Sequence, residues 1–389
     1  MKLTYLVAIA LSIGVLTVAC TASPASNPSP EAKAPAGAVA SKVSWEQKWE
    51  STLTTAKKEG TLTIYTVWAA EVTGPLREAF RKKYGIEMEF GSVGRGPELP
   101  PKVQAENRAG LYIADGFGSG ASTLLAAMKP AGLLGSIDPM LILPEVTDLK
   151  AWSGGQFPFL DKDRTIVGYS ALIDRNILIN TTMIKDGEIT SFKDLLKPQY
   201  KGKIVMGDPT VSGSANSTFS HLAYNVWNLE EASQWMRQIL KQQEAAINRD
   251  DRLLTEWVAR GKYAIALGPR QPAVVELTRA GAPIKLVDQK EGYRATPSGG
   301  CFAVPAQPAH PNAEAVFVNW LLSKEGQTVF AKGYGAPSRR VDVPTEGVDP
   351  TLVINPGEKL FYDTEERIMQ TSGLLDVAKK IMQQEGIQF

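Results

Sequence analysis

The chain has 389 residues, 43% of them hydrophobic and 21% charged, a composition typical of a folded protein of more than one domain and not of a disordered chain. Its 42 basic and 41 acidic residues give a net charge of +1, and this near balance argues against a nucleic-acid binder. Two cysteines and two histidines are too few for a disulfide framework or for a histidine-rich metal centre.

The N-terminus predicts an export signal. A single early cation precedes an apolar stretch over residues 3–18, and a small residue stands directly before Cys20. The segment Leu16–Cys20 resembles a bacterial lipobox, in which the cysteine is acylated, although Thr17 stands where that box usually has leucine. We therefore expect a signal peptide over residues 1–19 and a lipid anchor on Cys20, with plain secretion as the alternative.

Residues 20–42 predict a lipid-anchored tether. The segment is rich in Ala, Pro and Ser and has almost no bulky apolar residue, so it cannot bury a core. At about 3.1 Å per residue it would reach roughly 70 Å when fully extended. Loss of the signal would remove Lys2 and leave 41 basic against 41 acidic side chains. With Cys20 lipidated, Cys301 remains as a small buried hydrophobe.

The chain that follows alternates strands with helices. The β-branched and aromatic run Thr61–Thr66 predicts a first strand, and residues 86–90 and 112–116 predict two more. Apolar residues at helical spacing predict a helix that starts at residues 73–75 and ends at Gly85.

The same alternation continues in the second half of the chain. Residues 203–206 and 263–267 predict buried strands, and Asn228 predicts the cap of an amphipathic helix. Residues 313–321 form an apolar stripe that predicts another helix. Repeated β-α-β order predicts an α/β fold of mainly parallel sheets flanked by helices.

Ligands of such sheets bind in the crevice beyond the carboxyl ends of the strands, so the loops that follow strands form the candidate site. These loops are rich in Gly and Ser and open onto helix N-termini, where free backbone N–H groups favour an anion. Arginines would add forked donors for a carboxylate or phosphate. For any single loop the alternative is an ordinary turn with a helix cap. The candidate ligand-binding residues are Trp68, Arg95, Ser119, Gly120, Tyr169, Thr210, Ser212, Gly213, Ser214, Arg249 and Arg270.

A set of segments carries a recognisable pattern. These segments are Gly60–Tyr65, Phe80–Ile86, Phe192–Leu196, Tyr200–Ile204, Asp208–Thr210, Ser212–Ser214, His310–Ala315 and Trp320–Gln327. Together, over about residues 60–343, they resemble the bacterial extracellular solute-binding proteins of ABC importers, in the group that contains ferric-iron and sugar-phosphate binders. The resemblance implies a two-lobed periplasmic-binding-protein fold, type 2 like, in which two crossing strands near 168–180 and 286–303 form the hinge.

The resemblance also implies a domain organisation and partners. Lobe one would comprise residues 43–169 and 298–389, and lobe two residues 170–297. A solute would bind in the interlobe cleft of a monomer that delivers it to an ABC permease and its ATPase. The protein would be extracytoplasmic, in the periplasm or on the outer face of the membrane, and would need no resident cofactor or metal.

One departure from the family concerns iron. Ferric-binding relatives place two adjacent tyrosines in the loop that corresponds to residues 268–272, and here that loop reads Gly-Pro-Arg-Gln-Pro. Arg270 in this loop would repel a cation and attract an anion, and Trp68 would supply an apolar wall. The sequence therefore favours an organic or phosphorylated anion, with ferric iron or an iron chelate as the alternative.

Other classes of function are supported less well. Residues 168–172 lack the second glycine of a nucleophile elbow, and residues 116–122 lack the Gly-Lys-Ser/Thr ending of a P-loop. His221 is expected to pack inside a helix, His310 to be solvated, and Asp250-Asp251 to begin a helix. A secreted enzyme or a sensor lipoprotein on the same fold stays the alternative from another class.

Overall fold

The structure, a computed structural model, describes residues 44–211, 213–355 and 357–387. The predicted signal peptide, Cys20, the tether and Ser212 lie outside the described residues. No helix in these ranges has the length and apolar character needed to cross a membrane.

Helices and strands alternate along the described chain. The helices are α1 (Trp45–Glu59), α2 (Ala70–Tyr84), α3 (Leu99–Arg108), α4 (Ala121–Thr123), α5 (Pro144–Thr147), α6 (Ser214–His221), α7 (Leu229–Lys241), α8 (Asp251–Ala259), α9 (Gln271–Arg279), α10 (Pro311–Leu322), α11 (Lys324–Tyr334) and α12 (Glu365–Gln384). The strands are β1 (Thr61–Thr66), β2 (Glu87–Ser92), β3 (Gly116–Ser119), β4 (Leu134–Gly135), β5 (Ile166–Gly168), β6 (Leu172–Asp174), β7 (Ile177–Asn180), β8 (Ile204–Gly207), β9 (Ala246–Asn248), β10 (Ile265–Leu267), β11 (Ile284–Leu286), β12 (Tyr293–Thr296), β13 (Cys301–Pro305) and β14 (Leu360–Tyr362). Short π-helical turns, Leu124–Met128 and Leu222–Val226, continue α4 and α6.

The first sheet has the strand order β2-β1-β3-β13-β4, and β5 also pairs with β13. β1 is parallel to β2 and β3, whereas β13 is antiparallel to its neighbours. One face of the sheet packs Leu62 and Ile64 against Phe80, Phe317 and Trp320 of the flanking helices. We call this sheet, with α1–α5, α10 and α11, lobe one.

The second sheet has the order β11-β7-β10-β8-β9. β8 is parallel to β9 and β10, and β7 is the antiparallel strand. Its core contains Phe192, Phe219, Trp235 and Ile265 on one face. We call this sheet, with α6–α9, lobe two.

The two lobes are joined through a third, small sheet of order β14-β12-β6. β6 and β12 pair antiparallel, with Arg294 opposite Asp174, and β14 runs parallel to β12. β6 leads from the first sheet to the second, and β12 leads back. These two strands lie within the predicted crossing segments and form the hinge.

Some predicted bounds differ from the structure. The third strand begins at Gly116 and not at residue 112, because Leu111, Tyr112 and Ile113 are exposed in the preceding loop. α2 begins at Ala70, so Pro75 lies inside the helix and not in its first turn.

The end of the chain also differs from the predicted lobe boundaries. Residues 298–389 were all expected in lobe one, yet Leu374, Ala378, Ile381 and Met382 of α12 are buried in the core of lobe two. Only the beginning of α12 packs on lobe one, where Ile368 joins the core around Leu124 and Cys301. Most of the last helix therefore belongs with lobe two.

Candidate functional site

A cleft of about 450 Å³ opens at the carboxyl ends of β1 and β3 and extends to the hinge strand β12. Loops, the hinge and the start of α12 all contribute to it, as expected for a ligand crevice in an α/β sheet. Its lining residues are Val67, Gly96, Pro97, Ser119, Gly120, Ala121, Ser122, Thr123, Arg294, Thr296, Ser298, Gly299, Tyr334, Asp363 and Ile368.

Ser119 ends β3 and is the most deeply placed polar residue of this lining. Its side chain is 0% exposed, and its hydroxyl has no hydrogen-bond partner among the described residues. A methyl group at Gly96 would lie 3.5 Å from Ser119 Oγ and would collide with Thr123 Oγ1. Glycine at position 96 thus lets the neighbouring loop approach β3 without closing the space beside this hydroxyl. A buried hydroxyl without a partner costs free energy, which a bound ligand would recover.

Further hydrogen-bond donors line the same cleft. Tyr334 Oη accepts the backbone N–H of Gly299 (2.9 Å), so its own hydrogen remains available. At the start of α4, where Ser122 and Thr123 line the cleft, the Ala121 N–H donates to the carbonyl of Ser298 (3.4 Å). Ser298 beside them has a left-handed φ of 49°, a conformation that is uncommon for a residue other than glycine.

Arg294 brings the positive charge of the cleft. Its Nε and Nη2 donate to the two oxygens of Asp363 (2.7 Å each), and Nη1 donates to Asp174 Oδ2 (3.3 Å) and Ser217 Oγ (2.6 Å). Burial raises the pKa of the Asp363 carboxyl, although Arg294 favours its charged form. Asp363 is the only carboxylate among the described residues that line this cleft, and both of its oxygens are occupied by Arg294.

The structure brings Ser119 and Gly120 of the predicted set into this cleft, and places Trp68 elsewhere. Trp68 is buried in lobe one, where its ring packs on Phe330 and its Nε1 donates to the carbonyl of Gly299 (2.8 Å). Trp68 therefore packs beneath the loop that contains Gly299, and it does not form the apolar wall of the cleft that the sequence predicted.

Tyr169 is likewise a core residue. It is fully buried with its ring against Phe330, and its hydroxyl has no partner among the described residues. Burial raises the pKa of this phenol well above its usual value. Cys301, as expected, is a buried free thiol, and burial raises its pKa.

The predicted arginines lie apart from the cleft. The Arg95 side chain is 85% exposed and pairs with Glu98 (3.5 Å). Arg249 Nε donates to Asp208 Oδ2 (3.0 Å) at the edge of the second sheet. Arg270 lines a separate hollow of about 190 Å³ in lobe two, together with Asp174, Ser214 and others.

The predicted loops of lobe two are occupied by internal carboxylates. Thr210 donates its N–H (2.8 Å) and its hydroxyl (2.6 Å) to Asp208 Oδ1. The Asp251 carboxylate lies beside Gly213 and accepts the N–H and hydroxyl of Ser214 at the start of α6. Burial raises the pKa of this carboxyl. The α6 N-terminus, expected to bind the ligand anion, is thus already bound by a carboxylate of the protein.

The two histidines and the acidic pair are structural. His221 is fully buried, its Nε2 lies 3.1 Å from the carbonyl of Gly292, and burial lowers its pKa to about 4. His310 was expected to be solvated, but its backbone N–H and Nδ1 both contact Asp115. Asp250 caps α8 as expected.

Sequence reasoning missed Arg294, Asp363, Thr296 and Tyr334. None of them follows a strand of the main sheets in the pattern that marks a crevice loop. Arg294 and Thr296 alternate on β12, within the predicted second crossing, and this spacing was the available signal.

The donors of the cleft suit an anion better than a metal ion. Within the described ranges, no group of three or more His, Cys, Asp or Glu side chains is arranged to hold a metal. The loop that follows β10 contains Arg270 and lacks the two adjacent tyrosines expected of a ferric-iron site.

Comparison with known proteins places the chain in a family. Residues 76–349 match the bacterial extracellular solute-binding proteins. The chain belongs to this family. The solute-binding protein is also 26% identical, over 289 residues, to an uncharacterized protein of Haemophilus influenzae, an alignment that covers 71% of this chain and 77% of that protein.

Two solved structures share the fold of this solute-binding protein. One is the Trichodesmium protein IdiA (FutA) in complex with iron and citrate, at 18% identity and a TM-score of 0.65 over 85% of this chain and 100% of that one. The other is the periplasmic binding protein AfuA of Actinobacillus pleuropneumoniae with fructose-6-phosphate, at 20% identity and a TM-score of 0.57, again over 85% and 100%.

These findings confirm the predicted two-lobed periplasmic-binding-protein fold and the predicted role as the substrate-binding component of an ABC importer. The family and its neighbours are binding proteins, and the family is extracellular, which supports a location outside the cytoplasm.

Proposed function

We propose that this solute-binding protein captures a small organic or phosphorylated anion in the cleft between β3 and β12. The observation that carries the proposal is the donor-rich lining of that cleft. Its hydroxyl groups belong to Ser119, Ser122, Thr123, Ser298 and Tyr334, and that of Thr296 is already donated to Asp363.

The physical reason lies in the balance of donors and acceptors. The Asp363 carboxylate is bound by Arg294. The cleft therefore presents hydroxyl and N–H donors to a ligand, and little free negative charge. Hydrogen bonds to a charged partner contribute about 1.5–3 kcal/mol each, more than bonds between neutral groups. Several such bonds from preformed loops suffice for a small oxyanion without a positively charged surface around it.

The ligands of the structural neighbours fit this chemistry. Citrate and fructose-6-phosphate, held by IdiA (FutA) and AfuA, are both small anions rich in oxygen acceptors. An iron chelate of an organic anion stays the alternative cargo, since IdiA (FutA) holds iron together with citrate.

We further propose that the protein works as a monomer attached to the membrane through a lipid on Cys20. The lipobox-like segment and the Ala/Pro/Ser-rich tether support this arrangement. A tether of that length would let the folded body reach an ABC permease, whose ATPase drives uptake. Metabolic labelling with a fatty-acid analogue should mark the wild-type protein and leave a Cys20→Ala variant unmarked.

A thermal-shift screen of the purified protein tests the solute class. The probes are citrate, malate, fructose-6-phosphate, inorganic phosphate, ferric chloride and ferric citrate. We expect at least one iron-free anion to raise the melting temperature, because a ligand that binds only the folded state at 100 Kd adds about 2.7 kcal/mol. Titration calorimetry then gives its Kd.

Choline at equal concentration is the control, because Asp363, the one carboxylate among the described residues that line the cleft, is already bound by Arg294. Stabilisation by ferric chloride alone, with no shift for any iron-free anion, would overturn the proposal and support an iron carrier.

A further inference from the structure

The guanidinium of Arg294 lines the cleft, and its hydrogen bonds to the described residues leave one N–H group to spare. An arginine has five N–H groups. In Arg294 the Nε–H, one Nη2–H and both Nη1–H groups are engaged by Asp363, Asp174 and Ser217. Among the described residues, one Nη2–H is left without a partner, on a side chain that is 15% exposed and lines the cleft.

A second donor without a partner lies in the same wall. The Ser119 hydroxyl is fully buried, lines the cleft and has no partner among the described residues. Ser119, at the end of β3, and Arg294, on the hinge strand β12, both line this cleft of about 450 Å³.

The charge around Arg294 limits which anion fits. Its single positive charge faces two carboxylates, Asp363 and Asp174, so the local net charge is not positive. Repulsion between these carboxylates and a ligand group grows with the charge of that group. A singly charged carboxylate is therefore favoured over a doubly charged phosphate ester.

We propose that Ser119 Oγ and Arg294 Nη2 form the anion subsite of the cleft, and that the group they bind is a carboxylate of the solute. This inference rests on the proposed function and narrows its solute class. It also gives Asp174 a role, since this carboxylate competes with the solute for the Arg294 guanidinium. Neither Arg95 nor Arg270 is part of the subsite.

Calorimetry with matched probes tests the subsite in the full-length protein. The singly charged carboxylates are lactate, glycerate and gluconate, and the phosphates are glycerol 3-phosphate, fructose-6-phosphate and inorganic phosphate. We expect the wild-type protein to bind a carboxylate of this set more tightly than any of the phosphates. Tighter binding of a phosphate would overturn the assignment of the solute class.

Two variants test the donors. Ser119→Ala removes one hydroxyl, and Arg294→Lys keeps the charge but loses the forked geometry. Each should weaken binding of the tightest probe about tenfold or more, since each loses a hydrogen bond to a charged group. The matched controls Ser233→Ala and Arg252→Lys, on the surface of lobe two, should leave the Kd unchanged.

A third variant separates a binding role from a structural one. Asp174→Asn removes a competing negative charge beside Arg294, so it should lower the Kd of the tightest probe severalfold. It should also reduce the ratio between the Kd of the phosphates and the Kd of the carboxylates. A purely structural ion pair would give equal or weaker binding in this variant.

The outcomes separate failure of the proposed subsite from failure of the proposed function. If no anion binds the wild-type protein, the proposed function fails. If an anion binds and its Kd stays within twofold in Ser119→Ala and Arg294→Lys, only the subsite fails. Circular dichroism of each variant without ligand shows whether it is folded.

Discussion

Among single residues, Glu314 on α10 is a buried carboxyl that the fold holds at a cost. Its side chain is fully buried, and neither carboxyl oxygen has a hydrogen-bond partner among the described residues. Burial, and then the nearby charges of Asp115 and Glu59, raise its pKa well above the ordinary value. The folded protein therefore keeps this carboxyl protonated over a pH range in which the unfolded chain has lost the proton.

The sign of the resulting pH dependence follows from linkage. Because the folded-state pKa is raised, the folded state binds more protons than the unfolded state above pH 4.5, so stability falls as pH rises through this range. Glu314→Gln removes this contribution. We expect the unfolding free energy of the variant, relative to that of the wild type, to increase by up to about 1.4 kcal/mol per pH unit between pH 5 and the folded-state pKa.

Urea denaturation of both proteins at pH 5, 6, 7 and 8 measures this difference. Comparing variant with wild type cancels the other titrating groups. A difference in unfolding free energy that stays constant across these pH values would show that Glu314 does not titrate as proposed.

At the scale of elements, α12 connects the two lobes. Its first turn is held on lobe one, where Lys129 pairs with Glu365 (2.7 Å). Its later turns bury Leu374 and Ala378 in lobe two. The change of partner takes place around Gly373, a residue that weakens a helix interior. α12 is therefore a third link between the lobes beside β6 and β12.

Gly373→Ala should stabilise the protein. A methyl group at this position would meet nothing within 4 Å, and alanine favours a helix interior over glycine by about 1 kcal/mol. Gly326→Ala on α11 is the control with opposite sign, because its methyl group would collide with the carbonyl oxygen of Trp320. Thermal denaturation should show a higher melting temperature for Gly373→Ala and a lower one for Gly326→Ala. A loss of stability in Gly373→Ala would show that the turn around residue 373 needs glycine.

At the scale of the whole molecule, the proposed donors lie on lobe one and the hinge, whereas Ser214 and Arg270 line a separate hollow in lobe two. The Arg294–Asp174 ion pair lies between the two hollows, because each partner lines one of them. Rotation about β6 and β12 would bring the hollows together over a bound solute.

Solute binding should therefore compact the molecule. We expect the radius of gyration from small-angle X-ray scattering to decrease when the tightest anion of the screen saturates the protein. The same protein with a non-binding probe at equal concentration is the control. An unchanged radius at saturation, verified by calorimetry, would show that the lobes do not close.

Local periodicity and capping chemistry were enough to predict the α/β class, the first strand and the caps at Gly85, Asn228 and Asp250. The crossing segments came from the resemblance to the solute-binding family. The start of α2 was missed because Ala69, which precedes it, has no capping side chain. The sequence also predicted that the crevice loops at Ser119 and Gly120 would face a ligand. It could not predict that Trp68 turns into the core, since an aromatic residue after a strand fits a core and a cleft equally well.

Which arginine lines the cleft depends on strand pairing, which the local sequence does not show. Arg95, Arg249 and Arg270 follow strands in the chain, but Arg294 reaches the cleft through the pairing of β12 with β6. Likewise, Asp251 occupies the start of α6 through a contact between separate helices. Because the sequence is nearly neutral overall, selectivity for an anion must come from where individual charged and polar side chains lie. Their positions are set by long-range pairing of strands and helices.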